Sequence, residues 1–154
     1  MAHDSRAVAN EILKIGREKG ISMSMMKLIK LVYFAHAWML GLTGKPLCSD
    51  PVEAWPYGPV FQRLYNDLPY TGAQTVNKDV IDEAGLPYKE HFTEDERYLL
   101  ELIIKRYGNK GAFELSNLTH QPGTPWHKTR YSSGTFMPIS NDLIAEYYRQ
   151  KIEN

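Results

Sequence analysis

Residues 25–40 read MMKLIKLVYFAHAWML, with apolar side chains on nearly every side of an α-helix. At ~100° per residue, Met25, Ile29, Val32, His36 and Leu40 follow one side of that helix. Lys27, Lys30, Phe34 and Trp38 fall within an arc of about 80° on the opposite side. A helix with so little polar surface has to be enclosed by other elements. The rest of the chain must therefore supply a shell around it. Ser22 or Ser24 can cap its start, and it is expected to close before Gly41 and Gly44.

The flanking sequence supplies such a shell. Asp4 or Ser5 can cap a first helix carrying Val8, Ile12 and Ile15 at helical spacing, with Gly20 as its stop. Residues 45–56 hold Pro46, Pro51 and Pro56 and read as extended, with a short edge strand at 52–55. In PYGPV, Gly58 suits a turn of positive φ, and Pro59 is preorganised as the first residue of a helix carrying Phe61, Leu64 and Leu68. Thr93 and Glu96 form a capping box ahead of Leu99, Leu102, Ile103 and Tyr107. Residues 112–120 give a short helix, Thr124 caps another before Pro125, and Ser140 caps the last. Residues 70–92 are mostly polar, and a connection of more than about 15 residues is usually functional or mobile. The expected fold is mainly α: one domain over 1–154, with six to seven helices around the apolar one and room for a small β-hairpin.

Composition narrows function by exclusion. The chain of 154 residues balances 18 basic against 18 acidic side chains, so it has no basic field to drive nucleic-acid binding. Cys48 is the single cysteine, which rules out an internal disulfide and a thiolate zinc cage. The N-terminus lacks the apolar core of a signal peptide, and Lys30 and His36 interrupt the longest apolar run. These features give the expectation of a cytoplasmic protein away from membranes. His120 and His127 are two turns apart, but Pro122, Gly123 and Pro125 break any helix between them. No HExxH, CxxC, GxSxG or phosphate-binding glycine loop is present. Neither an enzyme nor a bound cofactor or metal is expected.

Two stretches are dense in aromatics and turn formers, AWPYGPVFQRLY at 54–65 and LTHQPGTPWHKTR at 118–130. They read as corners of the fold. His120 ends a helix, where its ring can bond free carbonyls, and Trp126 anchors the next turn. Trp55 and Tyr57 flank the PYGP turn and are expected to pin it. His36 is expected to be a buried, hydrogen-bonded core histidine. Two readings remain for the arc of Lys27, Lys30, Phe34 and Trp38. Its lysines are either solvated stems over apolar neighbours or part of a recognition face for an acidic partner.

Taken together, K-L-x-K-L-x-Y, A-W-x-Y-G-P-V and L-T-H-x-x-x-x-P-W resemble the Panacea domain of SocA-like antitoxins, also known as phage-associated GepA-like proteins. The likeness covers roughly residues 5–150. Lys27, Lys30 and Tyr33 fall on the first motif. Trp55, Tyr57, Gly58 and Pro59 fall on the second, and His120 and Trp126 on the third. The resemblance implies a small helical, non-enzymatic antitoxin whose partner is a co-encoded protein toxin. It implies neutralisation by direct binding or by presenting the toxin to a cellular protease. A DNA-binding regulator of a phage or mobile element is the alternative, against which the zero net charge weighs.

Overall fold

The computed structural model describes residues 1–69 and 74–153. Among these, seven helices and one hairpin follow in the order α1 (Ser5–Glu18), α2 (Met25–Thr43), β1 (Glu53–Trp55), β2 (Gly58–Val60), α3 (Gln62–Asp67), α4 (Glu94–Tyr107), α5 (Ala112–His120), α6 (Pro125–Ser132) and α7 (Asn141–Glu153). The mainly helical fold with a small hairpin is the one the sequence predicts.

Helix α2 is the axis. It packs against α1, α4, α5, α7 and β2, and Leu28, Ile29, Leu31, Val32 and Ala35 are sealed from solvent. By length and composition this helix is apolar enough to cross a membrane, but most of it lies inside the domain. It does not close before Gly41. The helix runs on to a left-handed cap at Gly44, φ 74°. Gly41 is where α7 comes closest, and a Cβ there would meet Tyr148 Cβ at 2.7 Å. The glycine thus serves helix packing, and only Gly44 stops the helix.

Local signals fix the shell. Asp4 caps α1 and Ser24 caps α2. The Thr93–Glu96 capping box forms in full, and Thr124 caps α6 with Pro125 in its first turn. The start of α3 differs from expectation. Pro59 lies in strand β2, and the helix begins at Gln62 after Phe61. Proline's fixed φ suits an edge strand as well as a helix start. Its missing N–H costs nothing here, because the opposite residue, Ala54, turns its own N–H and C=O to Met137 and Phe136. Residues 136–139 thereby run along the outer side of β1.

The 70–92 connection is also tighter than its composition suggests. Residues 70–73 lie outside the described residues. From 74 onward the chain is bound to the core through buried Val76, Val80 and Phe92. Asn10 of α1 holds it by three bonds: its Oδ1 accepts from Val80 N at 2.7 Å, and its Nδ2 donates to Val80 O and Tyr88 O, both at 2.9 Å. Val76 N also donates to Met23 O. Over 74–92 the segment is a strap anchored at these points, while most of its other residues stay exposed.

Candidate functional site

The three motifs meet in one place. The Lys30 side chain is sealed from solvent, and its Nζ donates to Pro59 O at 3.3 Å. Gly58 turns through φ 120° directly beside it. A Cβ on Gly58 would lie 2.8 Å from Lys30 Cε and 3.0 Å from Thr119 Oγ1. On the α5 side, the His120 ring bonds Ser116 O through Nδ1 and reaches Pro56 O at 3.2 Å through Nε2. The same ring packs on Trp126, centroids 3.9 Å apart, while Trp126 Nε1 donates to Trp55 O at 2.7 Å. Ser116 Oγ donates to Tyr57 O, and Thr124 Oγ1 to Thr119 O. The second and third motifs are thus stitched together by side chain-to-backbone bonds, with the first motif's lysine beneath them.

Burial governs the electrostatics of this centre. It pushes the Lys30 ammonium down to about 7. His36 lies elsewhere on α2, buried as expected. Its Nδ1 accepts from Cys48 N at 3.1 Å, which leaves Nε2–H to donate to Asn141 Oδ1 at 3.0 Å. Burial lowers its pKa to about 4, so the neutral ring is the working form. Tyr33 is buried and hydrogen-bonded to Tyr148, and burial raises both phenols. Among the described residues no set of His, Cys, Asp and Glu converges to hold a metal ion.

The α2 arc, which the sequence left as either solvated lysine stems or a recognition face, is accessible only in part. Lys30 and Phe34 are buried and present no surface to a partner. Lys27 is half-buried, and its Nζ donates to Gly108 O at the C-terminus of α4, where a cation suits the free carbonyls. Trp38 also keeps partial exposure, and its indole N–H donates to Tyr107 OH at 2.9 Å. An arc on a helical wheel tells which residues are neighbours, but other elements cover most of α2, so the arc is not free by default. Tyr57 departs in the opposite sense. It is 75% exposed and does not pin the hairpin turn.

Instead, Tyr57 stands on the rim of an open, apolar groove of about 600 Å³ between the hairpin, the start of α2 and the start of α5. Met25 and Met26 lie along it, with the Trp55 and Tyr65 rings in tilted contact on one wall, centroids 4.8 Å apart. Phe113 and Phe136 complete the rim, 80% and 53% exposed. Phe136 holds φ 65°, the one non-glycine residue among those described with positive φ. A bulky side chain rarely sits there without a reason. Its N–H donates to Ala54 O at 2.7 Å and its ring meets Trp55 edge-on at 5.2 Å, which fixes the aromatic at the groove mouth. Sequence reasoning missed Phe113, Phe136 and the two methionines. One signal was available: Phe113 falls off the Leu115–Thr119 face that α5 buries.

The surface thus offers an apolar concavity rimmed by exposed aromatic side chains. The family model described as "Antitoxin SocA-like, Panacea domain" matches residues 28–127. The chain is 31% identical over 159 aligned residues to "Antitoxin SocA" of Caulobacter vibrioides (strain NA1000 / CB15N), covering 97% of this chain and 85% of that protein. No solved structure matches. With the family model spanning most of the chain and a relative matching nearly all of it, this protein belongs to the SocA-like antitoxin family with a Panacea domain.

Proposed function

We propose that the chain is the antitoxin of a toxin–antitoxin pair and neutralises its co-encoded protein toxin by direct binding, with the apolar groove as the docking site. The observation that carries this reading is the cluster of exposed aromatics at Tyr57, Phe113 and Phe136, one of them held at an unfavourable backbone angle. Aromatic anchors around an apolar concavity are what protein interfaces concentrate their binding energy in. Family membership supplies the class of partner. The motif junction behind the groove holds the hairpin and α5 at a fixed separation, so the site is preformed.

Two arms test the proposal. In cells, the neighbouring gene is expressed alone, with this protein, and with Phe113→Asp or Tyr57→Asp. Growth arrest by the neighbour alone, rescue by the wild type and loss of rescue by variants that melt normally is the expected pattern. A neighbour that is harmless, or variants that rescue fully, would sink the toxin reading or the groove assignment respectively. In the second arm, purified antitoxin is titrated into purified toxin without any protease. Stoichiometric inhibition is expected; inhibition that appears only when a cellular protease is present would make the chain a delivery factor.

A further inference from the structure

On the far side of α5 lies a second concavity of different chemistry. Along α5, Ala112, Phe113 and Ser116 face the apolar groove, whereas Leu118 and the C-cap residue Gln121 face the other hollow. At ~100° per residue the two sets point to opposite sides of the helix. The second site consists of two adjoining hollows of about 440 and 460 Å³ that share Trp38, Arg106, Tyr147 and Lys151. Its cations lie against aromatic faces. The Arg106 guanidinium is 5.1 Å from the Trp38 ring centre and 5.5 Å from that of Tyr107, and Lys151 Nζ is 5.2 Å from the Tyr147 ring. Neither has a carboxylate within ion-pair distance among the described residues, in contrast to Lys110 nearby, which pairs with Glu114 at 3.1 Å. Beyond Trp38 and Arg106 the surface dips again into a small apolar hollow of about 140 Å³, lined by Leu42, Leu99, Leu102 and Ile103.

We infer that this cleft binds an acidic segment of a partner protein, with carboxylates on Arg106 and Lys151 and an adjoining aliphatic side chain in the Leu42–Leu102 hollow. Arg106 and Lys151 are two positive charges with no carboxylate at ion-pair distance among the described residues, already oriented by cation–π contact, so little side-chain freedom is lost when an anion arrives. A guanidinium presents paired donors that match a carboxylate. Nucleic acid fits less well. Two phosphate contacts release few counterions, the chain as a whole carries no net charge, and a sugar–phosphate backbone has nothing aliphatic to place beyond Trp38. The inference is independent of the toxin groove, since it uses other residues on another face.

The test uses the full chain and a fluorescein-labelled heptapeptide of glutamates and leucines, followed by anisotropy. A lysine–leucine peptide and a thymidine oligonucleotide serve as comparison probes. The acidic peptide should bind, weaken as salt rises, and lose at least about tenfold in affinity in Arg106→Gln/Lys151→Gln, with melting temperature unchanged. The control Lys14→Gln/Lys19→Gln, which removes as much charge elsewhere, should bind like the wild type. Equal binding of the acidic and basic peptides, equal losses in the two double variants, or tighter binding of the oligonucleotide would each overturn the proposal. No toxin enters this experiment, so its failure leaves the groove reading standing and its success does not depend on that reading.

Discussion

Lys30 Cε lies so close to Gly58 that a single added methyl group would come within 2.8 Å of it. This contact explains why a lysine on the central helix and a glycine in the hairpin turn form parts of one pattern, although 28 positions separate them. Gly58 also needs its φ of 120°, which side chains avoid. Gly58→Ala should therefore cost about 1–3 kcal/mol from backbone strain, with the clash added. Shortening the lysine removes its part of the clash and leaves the strain and the 3.0 Å approach to Thr119 Oγ1. In a double-mutant cycle, Lys30→Ala should recover part of the Gly58→Ala loss, with coupling of about 0.5–3 kcal/mol. Denaturant melts of the four proteins measure it, and strict additivity would mean that the two residues do not press on each other.

Lys30 also makes stability depend on pH. Its folded pKa of about 7 is below the ordinary 10.5, so between those values the unfolded chain binds more protons. Stability then rises with pH across that window. The charged lysine opposes folding in full below about 7, and the penalty disappears above the unfolded value. Lys30→Met has no such charge to bury and loses one bond to Pro59 O. The variant should therefore gain on the wild type by up to a few kcal/mol near neutral pH, less about 1 kcal/mol for the orphaned carbonyl. The gain should shrink steadily toward alkaline pH. A difference in melting temperature that stays flat from neutral to alkaline pH would remove Lys30 as the cause.

Much of this architecture was legible because its signals are local or periodic. The apolar circumference of α2 required enclosure, T-x-x-E marked the start of α4, and T-P marked the start of α6. What was not legible depends on which element covers which face. Lys30 and Phe34 share an arc with Lys27 and Trp38, yet only the packing of α4, α5 and the hairpin decides which of them sees water. Pro59 satisfies the φ of a helix start and of a strand equally. The groove is less visible still, because Phe113 and Phe136 reach one rim from separate parts of the chain through contacts with the hairpin and α5. In residues 74–92 a polar composition concealed three spaced anchors, Val76, Val80 and Phe92.

Asn10 offers a direct check on that strap. Its side chain is buried and serves three backbone groups of residues 80 and 88. Asn10→Ala leaves those groups without their partner, at about 1–3 kcal/mol for each one that water cannot reach. Asn10→Asp keeps the acceptor for Val80 N but loses both donors, so it should be no better tolerated. Hydrogen exchange should show faster opening at Val80 and Tyr88 in Asn10→Ala, ahead of global unfolding. Unchanged exchange there would mean that the strap is held by its apolar anchors alone.

The corner at LTHQPGTPW and the groove beside it should separate cleanly by mutation. Trp126 is 5% exposed, packed against the His120 ring and bonded to the Trp55 carbonyl. Trp126→Ala should cost about 3–5 kcal/mol, a large share of the stability of a small domain. His120→Ala removes bonds at the edge of the same corner and should cost on the order of 1 kcal/mol. Phe113→Ala alters a side chain that is mostly in water and should shift stability by no more than about 0.5 kcal/mol. Affinity for the toxin, measured on the folded fraction, should reverse the order. Phe113→Ala should weaken binding by several-fold or more, while Trp126→Ala binds normally at a temperature where it is folded. If His120→Ala melts like the wild type and yet fails to bind, the histidine belongs to the interface and the corner is more than a scaffold.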